Sequence, residues 1–481
     1  MEKKSTIGTT KRIQNNMNDI LHWDLCTAVD AIKDKKISSY ELTQWSLQRL
    51  KQIGGTLNAV FRLDEESALK RAHVLDDLQA HHRPLGMLHG VPFAHKDLIL
   101  MAGRSAHIGS KILKKNIPEE NAVVMDYFEA AGQVYCGSLH MTEFALGPTG
   151  FNRHYGHAKN PWNEKMVCGG SSSGSAIAVS ARLVFGAIGS DTGGSIRHPA
   201  TMCGVTGLKP TSQLVSLEGT FPLAHTLDCI GPLAQSARDC AKMLTVLTHQ
   251  DKNYETNLSS SVAGFKVGIP QHYFWEGLDT NIQDVLLENI PVFKALGMQM
   301  VDIDNPLMQP INDMMATVMA VEALGVHHEW LKQRSEDYAD QVRARIELGY
   351  QYSDEDYQNA LDMRKFYRQQ FDEKVFGVCD VLFIPTIQVH TPSIEASTRG
   401  SLEEVLKGVG RLTHVTKAMN YLGYPSISVP GGFSDHGMPV GFQLVGRDLS
   451  EDRLLTIAHA YQTQTNWHRR LPPIAFTKEA S

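Results

Sequence analysis

Apolar residues near the start of the chain recur at the spacing expected for helices. Leu25, Val29 and Ile32 fall on one helical face. Residues 38–41, SSYE, have the pattern of a capping box, which predicts that a second helix begins there. The charged stretch EESALKRAHVLDDL (65–78) predicts a third helix. We therefore expect helices to fill the chain up to about residue 80.

From residue 88 onwards, short apolar runs alternate with helical patterns. These runs are LHGVPFAHKDLIL, GQVYCGS, LVFGAIGSD, GFKVGIP, DVLFIPT, SISVP and PVGFQLVG. A final helix is predicted to begin near Ser450, with Glu451 and Asp452 in its first turn. Strands that alternate with helices predict an α/β fold, with a central mixed β-sheet covered by helices on both faces.

The chain has neither an internal repeat nor a low-complexity linker, which predicts a single large domain. Residues 1–18 are polar and basic and are predicted to form a flexible N-terminal arm, and residues 19–475 are predicted to form the domain. The stretch from about residue 275 to residue 410 is the most variable in character and is expected to shape the substrate pocket. Within it, MMATVMAVEAL (314–324) favours a helix face in the core over a surface that contacts a ligand.

Composition narrows the class of protein. The chain of 481 residues is 42% hydrophobic and 20% charged, with a net charge of −6, which is ordinary for a globular protein and gives no electrostatic reason to expect nucleic acid. Its seven cysteines include no C-x-x-C pair, which disfavours both a disulfide framework and a zinc site. We expect neither a signal peptide nor a membrane-spanning helix, because no apolar run is long enough, and we expect a cytoplasmic protein without metal or cofactor.

Two loops are dense in glycine and serine, GSDTGGSIR (189–197) and CGGSSSGSAIAV (168–179). The first could cradle a phosphate, make a tight turn or present a nucleophilic serine. A phosphate is disfavoured because no lysine follows the glycines as in a P-loop, and no G-x-G-x-x-G opens a helix. GSSSG in the second loop matches the G-x-S-x-G of serine hydrolases, but no strong strand precedes it and no histidine is an obvious base. The S-x-x-K of residues 67–70 lies in a charged helix and is interpreted as chance.

Lys96 lies within an otherwise apolar predicted strand. A buried lysine is costly unless it is neutral or paired. Asp97 is a poor partner, because neighbouring residues of a strand point to opposite faces. An ion pair or an ammonium that reaches the surface stays open as an interpretation. The alternative is a desolvated, neutral lysine that serves as a base.

Taken together, these segments resemble the amidase signature family. The resemblance rests on residues 169–200 (GGSSSGSAIAVSARLVFGAIGSDTGGSIRHPA), CGVTGLKPT, GVPFAHKD, NPW, LDCIGPLAQSARDCA, DVLFIPT and YPSISVPGGFSDHGMPVGFQLVG, and extends from about residue 25 to about residue 470. It implies an amidase signature fold and a Ser-cisSer-Lys triad. In that triad Ser195 is the nucleophile, Ser171 the bridging serine and Lys96 the base. Ser173 and His95 depart from the family's usual residues, and a serine at position 173 would be strained if its φ were positive.

The resemblance also implies a chemistry. Neutral Lys96 takes a proton from Ser195 through Ser171, and Ser195 forms an acyl-enzyme that water releases. The N–H groups of Gly193 and Gly194, together with Thr192 and Ser195, are predicted to form an oxyanion hole.

The main interpretation is an amidase that acts alone on a small amide, anilide or carbamate, with ester side activity allowed. Its expected partners are that small molecule only, without nucleic acid or membrane, and a homodimer is left open. The alternative is the amidase subunit of a tRNA-dependent amidotransferase, which passes ammonia to partner subunits using ATP. We disfavour it because the acidic residue usual in that group is replaced near Thr413.

Overall fold

The strands of the protein form two sheets that adjoin each other. The computed structural model describes residues 19–304 and 307–476, so the predicted N-terminal arm lies outside the described residues. The strands are β1 (Val60–Leu63), β2 (Pro92–Lys96), β3 (Val134–Leu139), β4 (Gly186–Asp191), β5 (Thr206–Lys209), β6 (Cys229–Ala234), β7 (Lys266–Pro270), β8 (Gln299–Ile303), β9 (Val381–Pro385), β10 (Ser426–Phe433) and β11 (Pro439–Gly446).

Helices occupy most of the remaining chain. They are α1 (Leu25–Lys33), α2 (Ser39–Thr56), α3 (Glu65–Ala80), α4 (Val123–Ala130), α5 (Ser173–Ser180), α6 (Arg197–Cys203), α7 (Ala237–Thr248), α8 (Thr280–Leu287), α9 (Ile290–Ala295), α10 (Met308–Arg334), α11 (Asp340–Glu347), α12 (Asp354–Lys374), α13 (Ile394–Thr398), α14 (Leu402–Thr413), α15 (Lys417–Leu422) and α16 (Glu451–Gln464). The predicted capping box is present, since Ser38 caps α2 and exchanges hydrogen bonds with Glu41.

The larger sheet has the strand order β4-β6-β5-β10-β11-β9-β7-β8, and the smaller sheet has the order β1-β3-β2. Both sheets are mixed. β7 runs parallel to β8 and β9, and β2 runs parallel to β3, whereas the other paired strands are antiparallel. The sheets adjoin at β2 and β4, where the backbone N–H of Ile188 donates to Nδ1 of His95 at 3.0 Å.

Apolar side chains cover both faces of the two sheets where they adjoin at β2 and β4. Consecutive strand residues such as Phe93 and Ala94, or Ile188 and Ala187, belong to different hydrophobic clusters, as the alternation of a strand requires. Helix α7 packs in the first cluster, and helix α5 packs in the second. The predicted α/β architecture, with a mixed sheet covered by helices on both faces, is therefore confirmed.

Two predictions about secondary-structure elements are corrected by the structure. The chain before residue 80 is not all helix, because β1 separates α2 from α3. Strands β5, β6 and β8 were also not among the predicted apolar runs. Within the described ranges, none of the helices has the length and apolar character that a membrane crossing needs.

Candidate active site

Lys96 is the last residue of β2, and its side chain is fully buried. Its Nζ atom donates to Oγ of Ser171 at 2.7 Å and to Oγ of Ser190 at 2.8 Å. Ser190 lies on β4 and was not singled out in the sequence, although it belongs to the same glycine-rich segment as Ser195. The structure thus brings Lys96 and Ser171 into direct contact and adds a second hydroxyl to the lysine.

Burial determines the charge state of Lys96. Desolvation lowers the pKa of its ammonium to about 7, against the opposing influence of Asp228 and Asp191, which favour the charged form. A lysine with this pKa is neutral in a large fraction of molecules at neutral pH. The interpretation of Lys96 as a paired or surface-reaching cation is therefore wrong for this structure, since no carboxylate of the described residues forms an ion pair with its Nζ.

Ser171 precedes helix α5, and the peptide bond between Gly170 and Ser171 is cis. Ser171 is fully buried, and its carbonyl oxygen accepts a hydrogen bond from the N–H of Thr142 at 3.2 Å. The next N–H, that of Ser172, donates to the carbonyl oxygen of Ser195 at 3.2 Å. Ser195 therefore lies beside the segment that carries Ser171, and the residue is 9% exposed.

The segment that carries Ser195, residues 191–197, is here called the Ser195 loop. Its shape depends on the carboxylate of Asp191, which accepts hydrogen bonds from the N–H groups of Gly194 at 2.7 Å and Ile196 at 3.1 Å. The guanidinium of Arg197 donates to both oxygens of the same carboxylate at 3.0 Å. Burial by itself would raise the pKa of Asp191, but Arg197 holds it well below its usual range. Asp191 and Arg197 thus fix the shape of the loop.

The prediction that the N–H of Gly194 belongs to the oxyanion hole is wrong. Its N–H is not free for an oxyanion, because Asp191 accepts it. The glycine is needed for a different reason, since its φ is 126° and a Cβ there would lie 2.1 Å from Cε1 of His198. The N–H groups of Thr192, Gly193 and Ser195 make no hydrogen bond with the described residues. These three donors remain as the candidate oxyanion hole.

Thr192 is held by an acidic residue that sequence reasoning did not use. Its Oγ1 donates to Oδ1 of Asp228 at 2.6 Å, and Oδ2 of Asp228 accepts from the N–H groups of Leu223 and Ala224. Burial raises the pKa of Asp228 to about 6, although these hydrogen bonds oppose the rise. The signal was an acidic residue within the apolar run LDCIGPLA (227–234).

The two departures from the family pattern have local explanations. His95 is buried, with its ring between the N–H of Ile188 at 3.0 Å and Oε1 of Gln133 at 2.8 Å, and it makes no hydrogen bond to Lys96. Ser173 is the first residue of α5 and is not among the residues with positive φ, so the strain considered for it is absent. Ser67 donates to the carbonyl oxygen of Asp64, and Lys70 is exposed, which supports the interpretation of S-x-x-K as chance.

The methionine-rich segment lies on α10 and faces both the core and the Ser195 loop. Met315 is buried in a hydrophobic cluster, which confirms a core face. Its Cε atom also lies 3.3 Å from the position that a Cβ on Gly193 would occupy, and Cε of Met319 lies 3.6 Å from it. The segment therefore also forms an apolar wall next to the loop.

Among the described residues, one group could hold a metal ion, and none of its members belongs to the triad that the family resemblance implies. Ligand atoms of His390, Asp435 and His436 lie within 4.8 Å of one another. Asp435 and His436 are exposed, and His390 is partly exposed.

Comparison with known proteins assigns the chain to a class. The chain belongs to the amidase family, whose model, described as Amidase, matches residues 41–455. It is 35% identical to a protein of Marinomonas sp. (strain MWYL1) that is named as one of the subunits of glutamyl-tRNA(Gln) amidotransferase, over 94% of this chain and 98% of that protein. It is 36% identical to the protein of the same name from Coxiella burnetii (strain RSA 493 / Nine Mile phase I), over 92% of this chain and 97% of that protein.

Solved structures agree on the fold. A crystal structure described as an amidase superposes with a TM-score of 0.84 and 29% identity, over 92% of this chain and 100% of that chain. The peptide amidase of Stenotrophomonas maltophilia superposes with a TM-score of 0.82 and 26% identity, over 94% of this chain and 99% of that chain. The resemblance to amidase signature enzymes is confirmed, and the chain is a hydrolase of this family.

The partners expected from the sequence are wrong. A small-molecule amide or carbamate was expected as the only partner, with nucleic acid excluded. The relatives that are 35% and 36% identical over nearly their whole length are each named as part of an amidotransferase for glutamyl-tRNA(Gln). A net charge describes only the surface of this chain, so it does not exclude nucleic acid held by another chain of an assembly.

Proposed function

We propose that this chain cleaves the C–N bond of an amide through an acyl-enzyme on Ser195, as the amidase subunit of a tRNA-dependent amidotransferase. The observation that carries the chemistry is the contact of 2.7 Å between Nζ of buried Lys96 and Oγ of Ser171, beside the Ser195 loop. The similarity to amidotransferase subunits over nearly the whole chain supports the assembly.

The first step is activation of the nucleophile. When Lys96 is neutral, its nitrogen lone pair accepts the proton of Ser171, while an N–H still donates to Ser190. Ser171 takes the proton of Ser195, whose Oγ then attacks the carbonyl carbon of the amide. The oxygen of that carbonyl gains negative charge next to the N–H groups of Thr192, Gly193 and Ser195.

The second step is departure of the nitrogen. The proton returns from Lys96 through Ser171 to the amide nitrogen, the C–N bond breaks, and ammonia or an amine leaves. An amide nitrogen leaves poorly until it is protonated, so the relay serves the leaving group as well as the nucleophile. Water then attacks the acyl group on Ser195 and gives the free carboxylic acid.

The assembly is tested with the chain purified from its own cells together with its bound partner chains. We expect this complex to convert glutamyl-tRNA(Gln) to glutaminyl-tRNA(Gln) when ATP and a primary amide are supplied. The complex with Ser195→Ala should lose conversion with the amide but keep conversion with ammonium chloride, because only ammonia release depends on Ser195. Ser259→Ala, an exposed serine, is the matched control.

The two parts of the proposal fail separately. A chain that purifies without partners and hydrolyses amides at full rate contradicts the assembly but keeps the chemistry of Ser195. A Ser195→Ala complex that still uses the amide contradicts the chemistry.

A further inference from the structure

Three side chains that can bind a metal ion meet at the turn between β10 and β11. Nε2 of His390 lies 3.9 Å from Oδ1 of Asp435, and Nε2 of His436 lies 3.7 Å from the same oxygen. The two imidazole rings stack, with their centroids 4.4 Å apart. A further oxygen, Oδ1 of Asp279, lies 3.0 Å from Nε2 of His390. Two imidazoles and two carboxylates are thus gathered at one place on the surface.

Hydrogen bonds hold together the three segments that carry these side chains. The N–H of Asp279 donates to the carbonyl oxygen of Gln388 at 3.0 Å, which ties the start of α8 to the segment after β9. The N–H of Asp435 donates to Oδ1 of Asn281 at 3.0 Å, which ties the turn between β10 and β11 to the first turn of α8. The segments are therefore already in place in the protein alone, which reduces the cost of ordering them around a ligand.

The carboxylates of this group lack a lysine or arginine partner. Within the described part of the chain, the ion-pair contacts of Asp279 and Asp435 are all with His390 and His436. A neutral imidazole carries no charge to balance a carboxylate and offers a nitrogen lone pair. With neutral histidines, the group therefore combines two negative charges with two nitrogen donors, which is the composition of a site for a cation.

The ligand types select a transition metal. Imidazole nitrogen suits Zn²⁺, Ni²⁺ and Cu²⁺, whereas Mg²⁺ and Ca²⁺ prefer sites made of oxygen. Ligand atoms at about 2.0–2.2 Å from a tetrahedral Zn²⁺ lie about 3.3–3.5 Å from one another. The distances of 3.0, 3.7 and 3.9 Å lie on both sides of that range. Asp435 and His436 are exposed, so their side chains can rotate to close the difference.

We propose that His390, Asp435 and His436 bind one divalent transition-metal ion, with Zn²⁺ as the best match, and that Oδ1 of Asp279 is in reach as a fourth ligand. The ion joins the turn between β10 and β11 (residues 434–438) to the segment after β9 (residues 386–393). It therefore stabilises this part of the fold. None of its ligands belongs to the triad of the proposed function, so the site is independent of the reaction at Ser195.

This site differs from the zinc sites that the sequence disfavours. That expectation concerned paired cysteines, and all seven cysteines of the chain are buried and offer no thiolate to an ion at the surface. The ligands proposed here come from segments that are distant in sequence, so a short motif does not reveal them. They become neighbours only when β9, β10 and β11 pair in the sheet.

Calorimetric titration with Zn²⁺ tests the site, on the purified protein with any partner chains it retains, after dialysis against EDTA. His436→Gln and Asp435→Asn should each bind one ion fewer per chain than wild type, or bind it at least about tenfold more weakly. Both positions are exposed, so neither substitution should disturb folding. The control is His272→Gln, which removes an exposed histidine beside Glu276 and should bind as wild type does. Equal binding by wild type and both site variants would overturn the inference.

Hydrogen exchange of the wild-type protein locates the ion without any substitution. Saturating Zn²⁺ should slow backbone exchange at least about tenfold in peptides that cover residues 386–393 and 434–438, and should leave α3 unchanged. Mg²⁺ at the same concentration should have no such effect, because the site contains two imidazoles. Slower exchange confined to other segments, or equal slowing by Mg²⁺, would contradict the proposed site. Neither measurement uses amide hydrolysis, so either result leaves the proposed role of Ser195 to its own test.

Discussion

Nζ of Lys96 and Oγ of Ser171 lie 2.7 Å apart at the buried end of β2. The same nitrogen lies 2.8 Å from Oγ of Ser190, so the lysine has two hydroxyl neighbours and no carboxylate in contact with it among the described residues. The proposed function uses this lysine as a base. We therefore expect the protonation state of Lys96 to control the rate.

The dependence of rate on pH follows from the lowered pKa of Lys96. Below about pH 7 the ammonium is charged and cannot accept the proton of Ser171, so kcat/KM for an amide should rise about tenfold per pH unit and reach a plateau above about pH 8. Lys96→Arg should lose at least about a thousandfold in rate across the range, because a guanidinium stays charged. The measurement is the pH–rate profile of both proteins. An arginine variant with the wild-type profile would make Lys96 a structural cation.

His95 should matter for stability rather than for chemistry. His95→Leu removes the partners of the Ile188 N–H and of Gln133, so the free energy of unfolding should fall by about 1–3 kcal/mol at pH 7. The kcat of the folded variant should stay within about threefold of wild type. Urea unfolding measures the first quantity, with His81→Leu at an exposed helix end as the control.

The pH dependence of the free energy of unfolding provides a second test of the role of His95 in stability. Burial lowers its pKa to about 4, so the unfolded chain binds the extra proton between about pH 6.5 and pH 4. The contribution of the neutral imidazole is complete above pH 6.5 and is lost as the pH falls through this window. His95→Leu should flatten this part of the stability curve, and an unchanged slope would show that other groups cause it.

The ion pair between Asp191 and Arg197 should stabilise the fold and should also keep the Ser195 loop in its active shape. Asp191→Ala leaves a buried guanidinium without its counter-charge and should lower the free energy of unfolding by about 3–5 kcal/mol, together with most of the activity. Asp34→Ala, which removes an exposed pair with Lys36, is the control. Because the pKa of Asp191 is depressed, its contribution is present above about pH 4 and is lost on acidification. An Asp191→Ala protein as stable and active as the control would contradict this role.

The sequence predicted the helices and strands that have strong local sequence patterns. The capping box at Ser38 and Glu41 places the start of α2. The apolar runs that became β2, β3, β4, β9, β10 and β11 are almost entirely buried, and the run that became β7 is partly buried. β1 has four half-buried residues, and β5, TGLK, contains a glycine and a buried lysine, so neither has the apolar pattern of a strand. Such strands form because their neighbours in the sheet supply hydrogen bonds and packing.

The site likewise contains residues that sequence motifs predicted and contacts that only the folded structure shows. Lys96, Ser171 and Ser195 are the implied triad positions, all three of which the chain retains, and the structure places them in one region. The occupied N–H of Gly194 could not be read from the sequence, because its acceptor, Asp191, is only apparent once the loop is folded.

The most direct test of the central claim is covalent labelling of Ser195 by a fluorophosphonate, because this probe requires an activated serine but not the natural substrate. We predict one adduct per chain, located on Ser195 by mass spectrometry, with a labelling rate that rises with pH and levels off above about pH 8. Lys96→Arg should label at least about a hundredfold more slowly, and Ser195→Ala should not label. An adduct on a different serine, or equal labelling rates for wild type and Lys96→Arg, would contradict a neutral Lys96 that activates Ser195 through Ser171.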